Sequence, residues 1–397
     1  MKYLSLKKYE YINHGKSNEE YLRRFNSDHS IKIGVNVGTD PAFFVLTREI
    51  QDKAILIYKL DKEVLKLCHY LPVEALAYYL VNCLTEEIQI TNSIEGVHST
   101  KKEIVDAYYK RGDRFNGIVG KYKLMMSDGN LQLISCQDIR SLYNDLVLPE
   151  VQEESSENIP DGKLFRKGHT YVRGVRIEPV HEGLYPEEKI IDSMTGALNF
   201  LNNENEEILY RVAVFHYLLG YIHPFYDGNG RLNRFISSYM LTRELETIIG
   251  YNLSSTIKEN LSLYNKAFVE CNDKANRGEL TIFVDMFLDI LVESIQSLIS
   301  ALETRSNSWD HFKTGIDKLP FADKKSMSKL YKALVLNELF AQNKIDILTL
   351  KEQTGLSDPT LRKQLKLFDE AGLLITDSAG RRYQYGIDLV KMDQFIS

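Results

Sequence analysis

The feature that most constrains this chain is a polar, glycine-bearing loop beginning at His223, set between two stretches that read as buried helices. From about Asn205 to Tyr221 the pattern is helical, with Ile208, Val212, Phe215, Leu219 and Ile222 on one stripe and further apolar residues around it. A helix apolar on nearly every face belongs at the centre of a core. A second helix starts near Gly230 and is predicted to bury Leu232, Phe235, Ile236 and Met240.

The loop between them carries complementary chemistry. Gly228-Asn229-Gly230 precedes a helix, where glycines admit close approach and positive φ, and the helix start offers unpaired N–H groups at a positive dipole end. That combination favours a bound anion such as a diphosphate. Arg231 and Arg234 lie on one face of the first turn, placed to donate to phosphate oxygens. Asp227 is a hard oxygen ligand suited to Mg²⁺. His223, with a near-neutral pKa by residue type, suits the acceptance of a proton from an attacking hydroxyl. Taken singly each residue has a structural explanation; together they supply base, metal ligand, anion cradle and two cations in one short segment.

His223-Pro224-Phe225-Tyr226-Asp227-Gly228-Asn229-Gly230-Arg231-Leu232-Asn233-Arg234 resembles the signature of the Fic family, His-x-Phe-x-(Asp/Glu)-Gly-Asn-Gly-Arg-x-x-Arg, at every defined position. The resemblance covers roughly residues 40 to 300. It implies a protein adenylyltransferase in which His223 deprotonates a Ser, Thr or Tyr hydroxyl on a target protein, and the oxygen attacks the α-phosphate of ATP. It further implies that Asp227 holds Mg²⁺, that Gly228, Asn229, Gly230 and Arg231 cradle phosphates with Asn233 nearby, and that Arg234 takes the γ-phosphate. Phe225 is then the core anchor of the loop and His216 a structural core residue. The segment at about Thr170 to Val180, with β-favouring pieces including Thr170, Val172, Val175 and Ile177, matches the position of the family's target-binding flap. Tyr264 resembles the tyrosine that the family places by the adenine.

Thr91-Asn92-Ser93-Ile94-Glu95-Gly96 looks like the family's inhibitory motif, (Ser/Thr)-x-x-x-Glu-(Gly/Asn). Thr91 and Glu95 share a helix face and Gly96 ends the helix. The resemblance implies that Glu95 pairs with Arg234 and removes the cation that ATP needs. In some relatives the same glutamate serves the removal of AMP.

Beyond this core the sequence bounds the rest. At 397 residues, 44% hydrophobic and 26% charged, the chain is a globular protein of two or three domains. A formal charge of -6 argues against a general nucleic-acid coat. The four cysteines form no CxxC pair, and no run reaches signal-peptide or transmembrane pattern, so reduced thiols and a cytoplasmic location are expected. Met1 to about Lys32 reads as a polar arm, and the segment from Asp40 to Glu95 as helical, with Pro41 and Pro72 as helix starts. Thr100 to Glu103 reads as a capping box. Further helices are predicted over Ser255 to Asn272 and Leu280 to Leu302. The expected fold is mainly α: an N-terminal helical region (1–110), a Fic-type core with a short β-hairpin flap (111–303), a linker (304–325) and a winged helix-turn-helix (326–397). The last module is open to DNA or to a protein partner through Thr360, Arg362, Lys363 and Lys366, and a homodimer is also open. A nucleotide-sensing transcriptional regulator, AMP removal, or transfer of another phosphate-containing group are the alternative functions.

Overall fold

The structure is a computed structural model that describes residues 3–112, 114–127, 129–173, 179–319, 325–341, 344–379 and 382–396. The chain is mainly helical and divides into two compact units, Met1–Asp61 with Thr85–Gln296, and Lys62–Leu84 with Ser297–Ser397. Among the described residues no helix is long and apolar enough to cross a membrane.

The first unit opens with helices α1 (Leu6–Ile12) and α2 (Ser17–Phe25), then an antiparallel hairpin of β1 (Ser30–Val37) and β2 (Asp40–Val45). The hairpin corrects the reading of Pro41 as a helix start. Ile33, Val35 and Val37 are buried while Lys32, Gly34 and Asn36 are exposed, the two-residue period of a half-buried strand. Gly38 makes the turn at φ 65°, and Pro41 sits opposite Asn36 at the turn end of the ladder. The N-terminal arm is tied down by buried Arg24, which donates to Glu20 at 2.7 Å and to Glu279 at 2.9 Å.

Helices α3 (Arg48–Tyr70) and α4 (Val73–Ile94) follow, with Pro72 just ahead of α4. α5 (Lys101–Tyr108) starts on the predicted capping box: Thr100 Oγ1 accepts from the Glu103 amide at 3.2 Å and Glu103 Oε2 from the Thr100 amide at 2.9 Å. α6 (Asn116–Leu124), α7 (Cys136–Leu146) and α8 (Leu148–Glu154) lead to the short antiparallel pair β3 (Tyr171–Arg173) and β4 (Pro179–Glu182). α9 (Glu187–Leu201) packs on α10 (Ile208–Ile222), and α10 on α11 (Asn229–Leu241). Nearly every side chain of α10 is buried, as its all-round apolar pattern demands; on α11 Met240 is only partly so. Where the pattern predicts one helix, α12 (Leu253–Glu259) and α13 (Leu261–Asn272) part at Asn260. Its side-chain amide donates to the Thr256 carbonyl at 3.1 Å and to Glu293 at 2.9 Å, a local bond that competes with the helix.

Helix α14 (Thr281–Phe312) continues past Leu302, so the first part of the predicted linker is helical. Trp309 and Phe312 explain why: both pack into the core of the second unit. That core gathers Leu330, Leu334, Leu350, Leu361, Phe368 and Met392. It is built on α15 (Lys325–Leu336), β5 (Ile345–Asp346), α16 (Ile347–Thr354), α17 (Asp358–Glu370), β6 (Leu374–Ala379), β7 (Arg382–Ile387) and α18 (Leu389–Ile396), the strands in the order β5-β7-β6. Gly355 at φ 66° turns the chain between α16 and α17. Ser357 is the cap residue of α17, and Pro359 lies in its first turn.

Candidate active site

α10 stops at Ile222, and His223 follows in the left-handed region (φ 51°) with its N–H donating to the Leu219 carbonyl at 2.9 Å. For a residue with a Cβ this conformation costs about 1–2 kcal/mol, so its neighbours must hold it. Phe225 is the anchor: it is fully buried, stacked on Tyr143 with ring centroids 3.7 Å apart and edge-on to Phe165 at 5.5 Å. Asn229 then closes the loop. Its Oδ1 accepts from the Phe225 N–H at 3.0 Å and its Nδ2 donates to the Phe225 carbonyl at 2.8 Å. Gly228 leads into α11 at φ 77°, and a Cβ there would stand 2.4 Å from Val147 Cγ1. Backbone and space both require glycine at this point.

The two arginines of α11 are both buried but differently employed. Arg231 Nε and Nη2 have no hydrogen-bond partner among the described residues, and the residue is 1% exposed. A buried guanidinium with idle donors at a helix start fits an anion. Arg234 is instead taken up by the end of α4: Nε donates to Thr91 Oγ1 at 2.6 Å, and Nη2 to the Thr91 carbonyl at 3.1 Å and to Glu95 Oε1 at 2.7 Å. Gly96 turns the chain away at φ 77° just beyond. A Cβ on Gly230 would lie 2.1 Å from Glu95 Oε1, so the carboxylate rests on the bare face of that glycine.

Asp227 is partly exposed and its Oδ1 accepts from the Gly228 N–H at 2.5 Å. Among the described residues no group of three or more His, Cys, Asp or Glu side chains is placed to hold a metal ion. His223 is partly buried, and its pKa is pushed down to about 4 by burial and then by the Arg166 guanidinium; the Glu95 carboxylate acts in the opposite sense. The ring is therefore neutral at physiological pH and free to accept a proton.

His216 is the structural core residue its setting predicts. Ser237 Oγ donates to the Asn233 carbonyl at 2.9 Å, so it accepts from His216 Nδ1–H at 2.8 Å, and Nε2 accepts from the Tyr264 hydroxyl at 2.6 Å. Burial and the Arg234 cation push the His216 pKa down to about 3. Asn233 Nδ2 donates to the His216 carbonyl at 2.7 Å, while its buried Oδ1 has no partner among the described residues. Tyr264 is thus linked through His216 to Ser237 and Asn233 on α11. In the hairpin, the Thr170 carbonyl accepts from the Gly183 N–H at 3.0 Å and Val172 pairs with His181. Val175 and Ile177 lie outside the described residues.

Two residues of the site gave no sign of themselves in the sequence. Arg166 is fully buried, yet its segment Phe165-Arg166-Lys167-Gly168 has no period to separate it from a surface loop. Glu87 stands one helical turn before Thr91 on α4, fully buried, and accepts from the Ser254 amide at 2.9 Å and from the Ser254 hydroxyl. Burial pushes its pKa up to about 7, against the pull of Ser254 and Arg234. Its spacing to Thr91 and Glu95 is the one signal that would have found it.

A mainly helical body, a signature loop between two core helices and an anion-ready helix start define the class. Residues 134–241 match the Fic/DOC family. Thr91, Glu95 and Tyr264 lie outside that span. Among curated proteins, protein adenylyltransferase fic-1 of Caenorhabditis elegans is 24% identical over 187 residues, 46% of this chain and 34% of that protein. Its Caenorhabditis briggsae counterpart is 22% identical over 187 residues, with the same coverage of 46% and 34%. The matched region spans about a third of the length of these relatives. The crystal structure of a Fic family protein from Desulfovibrio desulfuricans G20 shares the fold, with a TM-score of 0.53 at 18% identity over 87% of this chain and 97% of that one.

Proposed function

We propose that this chain is a protein adenylyltransferase that moves AMP from ATP to a Ser, Thr or Tyr hydroxyl of a target protein, and that Glu95 holds it off. The observation that carries the reading is the contact of Glu95 Oε1 with Arg234 Nη2 at 2.7 Å, directly over Gly230, beside an Arg231 whose Nε and Nη2 are idle. An acidic side chain lying in a cationic cradle marks where a phosphate belongs.

In this reading the triphosphate sits along the start of α11, with Arg231 and the loop amides as donors and Arg234 available once Glu95 leaves. Neutral His223 takes the proton of the target hydroxyl. Its oxygen bonds to the α-phosphorus, the bond from that phosphorus to the bridging oxygen breaks, and pyrophosphate departs with the electron pair. Asp227 is the residue to hold Mg²⁺, which supplies charge neutralisation at the phosphates when bound; a single carboxylate suits an ion that completes its shell from substrate and water. The β3–β4 hairpin serves to align a target segment, and Tyr264 with Asn233 borders the nucleoside end. The work of the protein is positioning and electrostatics.

The test uses ATP labelled at the α- or the γ-phosphate with wild type, Glu95→Gly and His223→Ala. Label on protein is expected from the α-position only, raised about 5- to 150-fold by Glu95→Gly, the range of a 1–3 kcal/mol coupling. Loss of the base is expected to lower it about 10²- to 10⁴-fold. Label arriving from the γ-position sinks the reading.

The second unit supports a separate role in contacting DNA or a protein. α17 exposes Arg362, Lys363 and Lys366, but Arg362 lies 3.3 Å from Asp358 and Lys366 3.7 Å from Glu370. This near-neutral face favours a protein partner over a phosphate backbone. Absence of a gel shift by the full chain at low salt is the expected result.

A further inference from the structure

Arg166 is a fully buried cation whose side-chain hydrogen bonds all go to main-chain carbonyls. Nη1 donates to Gly168 O at 2.6 Å, Nη2 to Leu184 O at 2.8 Å, and Nε to His223 O at 2.9 Å; Ile222 O lies 3.5 Å from Nη2. Its own amide donates to Pro224 O at 3.2 Å. Among the described residues no carboxylate comes within ion-pair distance, and Glu182 acts on it only from farther away. A guanidinium buried without a counter-ion is expensive, and carbonyl dipoles are a weak substitute for a carboxylate. The arrangement therefore calls for a reason beyond stability.

The acceptors supply that reason. Gly168 precedes β3 and Leu184 follows β4, so the two legs of the hairpin are held by one side chain. The remaining acceptors are the carbonyls around His223. Side chain and amide of Arg166 together fix His223 O and Pro224 O, the carbonyls of the left-handed His223 and of the residue that follows it. Gly183 makes room for this: a Cβ there would stand 2.4 Å from Arg166 Nη2 and 2.9 Å from His223 Cβ.

We propose that Arg166 is a positioning residue for His223: one buried guanidinium joins both legs of the hairpin to the main chain of the base, so that a seated hairpin and a correctly held His223 occur together. The inference rests on the reading of His223 as the base. The same cation also disfavours a proton on the imidazole, along with His181, while Glu95 favours one; Tyr226 and Glu182 in turn act on Arg166 to favour its charge. One group thus holds the hairpin and, after burial, does most to lower the basicity of His223.

The experiment compares Arg166→Gln, Arg166→Lys and Gly183→Ala, each in the full chain carrying Glu95→Gly. Two readouts need no nucleotide: the NMR titration of His223, assigned by its loss in His223→Ala, and amide exchange at Gly183 and Leu184, whose N–H groups donate to Thr170 O and Ile222 O. Arg166→Gln is expected to raise the His223 pKa toward the ordinary histidine range, relative to the Glu95→Gly parent, and to speed exchange at both amides. Arg166→Lys keeps the charge and loses the reach, so exchange accelerates while the titration stays low. Gly183→Ala, which displaces the guanidinium without deleting it, speeds exchange as well. In AMP transfer, kcat falls about 10- to 100-fold and KM for ATP changes little, because Arg166 touches no part of the cradle. A folded Arg166→Gln or Gly183→Ala protein with wild-type titration and exchange overturns the proposal. If no variant transfers AMP, Glu95→Gly included, the reading of function fails, while titration and exchange still decide the role of Arg166.

Discussion

Two buried guanidiniums flank the loop, and they are satisfied in opposite ways. Arg234, at the head of α11, is met by Thr91 and Glu95 from the end of α4. Arg166, at the base of the hairpin, is met by main-chain carbonyls alone. A side-chain partner leaves when its helix end moves or its residue is replaced; a carbonyl leaves only if the backbone unfolds. Under the proposed function the first arrangement is a switch and the second a fixture. The difference also has an energetic edge: withdrawing Glu95 strands a buried cation unless an anion replaces it, so in that proposal the Glu95 contact and the triphosphate compete for one site.

The largest effect that would break this contrast concerns Arg234 itself. If Glu95 acts only by occupying that cation, Glu95→Gly activates and the double variant Glu95→Gly with Arg234→Ala does not. Label transfer is expected to fall about 10²- to 10³-fold from the Glu95→Gly level, as for loss of a charge-stabilising donor. Retention of full activity in the double variant would show that the contact with Glu95 is incidental.

A second effect separates Glu87, inside α4, from Glu95, just past its end. Glu87 holds its proton in the folded state up to about pH 7, whereas the unfolded chain gives it up near the ordinary glutamate value of 4.5. The unfolded state therefore sheds the proton first. The stability due to this proton is present below about pH 4.5 and falls as pH rises toward 7, by roughly 3 kcal/mol in all. Glu87→Gln is expected to remove that loss. His216 works in the reverse sense, gaining stability as pH rises from about 3, so the quantity to measure is the wild-type minus Glu87→Gln difference in denaturant unfolding across pH 4 to 8. A flat difference would mean that Glu87 is charged in the folded protein.

How far all this could be read in advance differs between these regions for a physical reason. The loop from His223 to Arg234 was legible because its residues are contiguous and of unlike chemistry, and the motif at Thr91 to Gly96 because two positions on one helix turn point one way. The first β-hairpin was not: Ile31 to Val37 alternates cleanly, but the polar arm before it and Pro41 after it masked a short strand. Arg166 was invisible because a buried arginine and a solvated one look the same in sequence, and only Gly183, a glycine in an unremarkable loop, records the space it fills. The bend at Asn260 and the extension of α14 to Phe312 depend on tertiary partners, Glu293 for one and the core around Trp309 for the other.

The smallest expected effect tests the switch from the glycine side. Gly230 carries Glu95 on its bare face, with Oε1 2.1 Å from the position a Cβ would take. Gly230 lies inside α11 at an ordinary helical φ, so Gly230→Ala is compatible with the backbone, and away from Glu95 it would gain helix propensity. In the wild-type background the methyl group must push the carboxylate off Arg234, which is expected to cost about 1–2 kcal/mol. With Glu95→Gly already in place the clash with the carboxylate is absent and only Arg234 Nη1, 3.0 Å from the Cβ position, has to give, so the same change is expected to be near neutral. The four proteins form a double-mutant cycle, read by denaturant unfolding, with a coupling between Gly230 and Glu95 of about 1–2 kcal/mol. Additivity within about 0.3 kcal/mol would mean that Glu95 does not rest in the cradle in solution.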